Sequence, residues 1–173
     1  MLGRRTGARQ YGVIVASLLR YPEIASVSLD PFSRVVRTEF LVRKRVSGRT
    51  AYEFCEELKA ALETWADLER TRTSVRDVRV TQAEDTLSVV ALAWHAERLD
   101  PGEVALAVDL MRHRMGDSLL VDDAPDSLDE ADDEGLDMGE ELIAEKLMSL
   151  SPLWGGRSVV ACRDAGRLIV YPR

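Results

Sequence analysis

The sequence predicts an α+β protein, a two-layer sandwich of helix-plus-β-hairpin units around an antiparallel or mixed sheet. Three observations lead there. Segments that alternate apolar and polar residues come in pairs, amphipathic helical segments with marked starts follow them, and this order occurs twice before residue 116. A chain of 173 residues can bury about 70% of its unfolded surface and needs no staples to hold a core.

Residues 1–9 contain Arg4, Arg5 and Arg9 without apolar periodicity and are expected to form a flexible basic arm. Tyr11 to Leu19 suits a short helix ended by Tyr21-Pro22. That apolar run is about half a membrane span, and no small-residue cleavage site follows it, so neither insertion nor export is expected. Ala25, Val27 and Leu29 share one face of a first strand, and Asp30-Pro31-Phe32-Ser33 makes a turn. In the return strand Val36, Thr38, Phe40 and Val42 alternate with Arg37, Glu39 and Arg43, which predicts one dry and one wet face.

A helix is expected from Thr50, with Thr50 and Glu53 as a capping box and Phe54, Leu58, Ala61, Leu62 and Trp65 as its apolar stripe. Val78 and Val80 mark the next strand, Ala83-Glu84-Asp85 its turn, and Thr86 to Ala96 the return strand. Asp100-Pro101-Gly102-Glu103 opens another helix, with a second capping box and proline at the first helical position. Its stripe is Val104, Ala107, Val108, Met111 and Met115. A shift of about 50 residues lays Val27 on Val78, Leu29 on Val80, Thr50 on Asp100 and Glu53 on Glu103, a weak internal repeat within a core of residues 10–116. Residues 139–173 predict a C-terminal unit packed on that core: a helix from Gly139 to Leu150, a turn at Pro152-Leu153-Trp154-Gly155-Gly156, and a hairpin of Val159 to Cys162 and Leu168 to Tyr171. Pooled strands with helices on one face resemble the ferredoxin-like class in size and element types, although that class starts with strand, helix, strand.

Apolar residues make up 46% and charged residues 31% of the chain, which argues against both wholesale disorder and a membrane protein. Cys55 and Cys162 are far apart in sequence and are expected to be small core residues in a reducing, cytoplasmic setting. Arginine outnumbers lysine 20 to 3, which points to codon bias in a GC-rich, bacterial genome. The net charge of −7 is unevenly spread: residues 117–141 carry 12 acids and no base, leaving +5 on the remainder. Residues 117–138 are therefore expected to be an acidic flexible linker. Within this stretch Glu130, Asp132, Glu134, Gly135 and Glu141 fall on positions of a calcium-binding loop, but Glu130 and Asp137 depart from its pattern, and calcium is not expected.

Catalytic signals are thin. His95 and Glu97 would project from one face of a strand end, but no Ser or Cys stands in a nucleophile turn. His113 lies between Arg112 and Arg114, where positive charge suits a helix end. Two cysteines and two histidines lack zinc spacing, and Gly155-Gly156-Arg157-Ser158 lacks the phosphate-loop pattern. No cofactor, metal or catalytic residue is expected. The strand from Thr86 to Ala96 is apolar on both faces, so something must cover its second face, either the N-terminal helix and C-terminal unit of the same chain or a second subunit. A homo-oligomer or protein partner is expected, with Val90, Leu92 and Trp94 at the interface, in a non-enzymatic interaction or regulatory module. Residues 1–49 carry a net +7, so the alternative is an RNA- or DNA-binding protein using Arg37, Arg43, Lys44 and Arg45, with the acidic segment as competitor.

Overall fold

Two hairpins and two helices make up the first hundred described residues of the protein, in a computed structural model that describes residues 20–30, 32–122, 158–164 and 167–172. Strands β1 (Ser26–Asp30) and β2 (Val35–Val42) pair antiparallel. Between them Asp30 turns the chain, its carboxylate accepting from the Phe32 amide at 2.9 Å and the Ser33 hydroxyl at 2.6 Å, an Asx-type turn. Helix α1 (Gly48–Leu68) leads to β3 (Val75–Glu84), β4 (Leu87–His95) and helix α2 (Pro101–Met115). A final hairpin joins β5 (Val159–Asp164) and β6 (Arg167–Pro172).

These strands form one sheet in the order β3-β4-β2-β1-β5-β6, antiparallel at every pairing. The α+β class and antiparallel sheet are as the sequence predicts. Hairpin-then-helix occurs twice, and the two hairpins meet through their second strands, with Thr38 opposite Leu92 and Phe40 opposite Val90. This hairpin-first order differs from a strand–helix–strand start.

Alternation decides which face is dry. Val27, Leu29, Val36, Phe40, Val42, Val90, Leu92 and Trp94 are all buried and share one cluster with Phe54, Leu58 and Leu62 of α1 and Val104, Ala107, Val108 and Met111 of α2. Both helices thus cover the same sheet face. Thr38 sits among these apolar residues because its hydroxyl accepts from the Trp94 indole at 3.0 Å, which satisfies two polar groups that burial would otherwise penalise.

Several expectations change. Helix α1 starts two residues before Thr50, at Gly48, whose φ of 60° only glycine adopts freely. The predicted box does not form, because Ser47 takes the N-cap position and Thr50 lies inside the helix; Glu53 instead accepts from the Arg49 guanidinium at 2.6 Å. At α2 Asp100 caps the helix, accepting from the Gly102 amide at 2.7 Å. Glu103 does not reach back to it; the side chain is buried and accepts from the Thr73 hydroxyl and from both the amide and the hydroxyl of Ser74. A buried carboxylate takes three donors over the one that a capping box offers. Nor does the acidic stretch begin as a linker at 117. Gly116–Ser118 form a 3-10 turn, Leu119 is buried and bridges to Val42, and the Leu120 amide donates to the Leu41 carbonyl at 2.8 Å. One apolar residue in the core outweighs the acidity around it. The basic arm, the Tyr11–Leu19 and Gly139–Leu150 helices and the calcium-loop positions lie outside the described residues.

Candidate binding face

The other side of the sheet is built from the residues that alternate with the core. Across the strands one row reads Asp77, Ala93, Arg37, Ser28, Val160 and Tyr171, and the next reads Arg79, Ala91, Glu39, Ser26, Cys162 and Ile169. Strand β4 presents large side chains, Val90, Leu92 and Trp94, to the core and Ala91 and Ala93 to this face. Small residues beside Ser26 and Ser28 leave Arg37 standing in a shallow depression of about 530 Å³. Its rim includes Asp30, Ser33, Glu39, Arg76, Asp77, Arg79 and Ser158.

Three acids and three arginines line this depression, but they are not equally engaged. Glu39 accepts from the Ser26 hydroxyl at 2.8 Å and Asp77 pairs with Arg79 at 2.5 Å. Asp30 is held in its turn, and the Ser33 hydroxyl bonded to it keeps its carboxyl below the usual carboxylate value despite some opposing desolvation. Arg37 and Arg76 have no ion pair among the described residues. The face therefore carries unspent guanidinium donors over a floor of small side chains, suited to receiving carboxylate or phosphate oxygens.

The other predicted nucleic-acid residues lie elsewhere. Arg43, Lys44 and Arg45 are exposed in the β2–α1 loop, about 20 Å along the strand from Arg37 at ordinary strand rise. The loop is pinned by Ser88, whose hydroxyl donates to the Lys44 carbonyl at 2.7 Å and accepts from the Val46 amide at 2.9 Å. Lys44 and Arg45 border a separate cleft of about 410 Å³ with Thr50, Glu53, Phe54 and Arg114. The structure thus divides the four predicted basic residues between two surfaces.

Val90, Leu92 and Trp94, predicted at an interface, are fully buried beneath the helices of their own chain. Their size is the reason, since the larger side chains of β4 fill the core. A partner on this strand would meet Val89, Ala91 and Ala93, which are half-buried. His95 and Glu97 do not form a dyad: Arg34 holds Glu97 at 2.6 Å. Burial, then the positive charges of Arg98 and Arg76, pushes the His95 pKa below its ordinary value. Cys55 is half-buried on α1, where desolvation raises its thiol pKa. Among the described residues no group of three metal-ligating side chains comes together, and no helix is long and apolar enough to cross a membrane.

The depression was missed by sequence reasoning, which treated both faces of β4 as equally apolar. The signal was present in side-chain size, large and small residues alternating from Val90 to Trp94. No family model matches the chain, and no similar curated protein or solved structure is found.

Proposed function

We propose that this chain is a non-enzymatic interaction module whose wet sheet face receives an acidic segment of a protein partner. The observation that carries this is the pair Arg37 and Arg76, without ion pairs among the described residues and set around a shallow, small-residue floor. A wide, shallow surface of this kind suits an extended chain, whose carboxylates would take the guanidinium donors. The same chemistry at the β2–α1 loop favours a second function, nucleic-acid binding through Arg43, Lys44 and Arg45 beside Arg114.

One titration separates the two. Fluorescence anisotropy is measured with a labelled Asp/Glu-rich peptide and with a labelled single-stranded oligonucleotide, at low and moderate salt. Peptide binding that is lost in Arg37→Glu and kept in a variant with Arg43, Lys44 and Arg45 all changed to Glu supports the first function. Oligonucleotide binding lost in the loop variant alone promotes the second. Failure of the wild type to bind either probe overturns both.

A further inference from the structure

The wet face of the sheet is complementary to itself. In its two central rows the charges are opposed position by position. Strand β3 places Asp77 in one row and Arg79 in the next, β2 places Arg37 in the first and Glu39 in the second, and β4 between them contributes alanine to both. Strand β1 contributes serine to both, Ser28 and Ser26. Side chains on one face of a strand stand two residues apart, so the rows are separated by about 7 Å. Arg37 and Arg79 are exposed, Glu39 and Asp77 are half-buried, and both described helices lie on the other side of the sheet.

We propose that this face docks a second copy of the chain, sheet on sheet, about a two-fold axis that runs across the strands midway between the two rows. Such an axis exchanges the rows and sets each strand over its own copy. Arg37 then meets Glu39 of the partner subunit, and Asp77 meets Arg79 of the partner subunit, each pair occurring twice. Alanine meets alanine and serine meets serine, so the floor lets the two faces approach to the ordinary sheet spacing of about 10 Å. The charges choose this register. An axis lying on the first row would set Arg37 against the partner's Arg37, and one lying on the second would set Glu39 against the partner's Glu39, like charges face to face. Arg37, without an ion pair among the described residues, gains one, and the half-buried alanines of β4 are covered. This inference goes beyond the acidic-segment reading and stands without it. A peptide and a second copy would compete for Arg37.

Light scattering on the full chain, without peptide, tests the proposal across the micromolar range at two salt concentrations. The wild type is expected to pass from monomer to dimer with concentration, and less readily at the higher salt, which screens exposed charge. Arg37→Glu and Glu39→Arg, each checked for folding by circular dichroism, are expected to associate at least about tenfold more weakly, because like charges then meet twice in the symmetric pair. Mixed one to one, these two variants are expected to form a heterodimer, since the altered charges oppose each other across the interface. The double swap, Arg37→Glu with Glu39→Arg, is expected to dimerise like the wild type. A wild type monomeric throughout overturns the proposal, as does a dimer that both single variants leave intact. Weakened single variants whose mixture and double swap also fail to associate overturn the register. Should a single variant not fold, the double swap decides. The result is read without peptide, so it is decided separately from the acidic-segment reading.

Discussion

Glu103 and Thr38 each place a polar group inside an apolar core, and each is compensated by a specific partner. The Glu103 carboxylate draws the start of β3 onto the first turn of α2 through Thr73 and Ser74. Removing it in Glu103→Ala leaves the buried Ser74 amide without an acceptor and is expected to cost about 1.5–3 kcal/mol of unfolding free energy, the range for hydrogen bonds to a charged group. Urea denaturation measures this. Thr38→Val keeps the shape but orphans the Trp94 indole N–H, with an expected loss of about 1–3 kcal/mol. Neither partnership was legible in the sequence. Glu103 stood at a capping-box position, and the spacing gave no hint that residues 29 and 30 positions earlier would supply better donors.

His95 carries the pH dependence that the residue scale predicts. Its folded pKa lies below 6.5, the ordinary value, so between the two values the unfolded chain binds more protons. Stability is then complete above 6.5 and falls as the pH drops through that window. His95→Gln is expected to flatten the loss between pH 7 and 5, measured as thermal midpoint against pH. An equally steep decline in the variant would assign the effect to other groups.

Helices and strands were legible where apolar spacing reported directly on burial. The stripe of α2 is buried at all five predicted positions, and the β2 face at all four. In α1 Phe54, Leu58 and Leu62 are buried, while Ala61 and Trp65 are only half-covered and Ala66 takes the last core place. Trp65 instead lies against Gly102, where an added Cβ would meet its ring at 2.7 Å. Close approach of the end of α1 to the start of α2 is therefore what Gly102 serves. Gly102→Ala would raise helix propensity by about 1 kcal/mol in an open setting, yet it is expected to lower the melting temperature here. A raised melting temperature would show that the Trp65 ring yields at no cost. Strand boundaries were legible from alternation, but strand order was not, since it depends on pairings between segments as distant as β1 and β5.

At the scale of the whole molecule, one sheet has a face committed to the helices and a second face that, among the described residues, sets Arg37 among small side chains. Sequence reasoning expected a cover over the second face of β4 but assigned Val90, Leu92 and Trp94 to that face, the large residues that the core consumes. Charge was legible as a basic body with an acidic segment. Its division into the Arg37 face and the Arg43-Lys44-Arg45 loop was not, because both derive from one strand and its exit, and only the fold separates them.

The most direct test of the wet face as the recognition surface is a two-dimensional amide NMR titration of labelled protein with the Asp/Glu-rich peptide. The account predicts shifts concentrated at Ser28, Arg37, Arg76 and Ala93, with the α1 and α2 amides unmoved. Shifts confined to the β2–α1 loop, or to the helices, would contradict it.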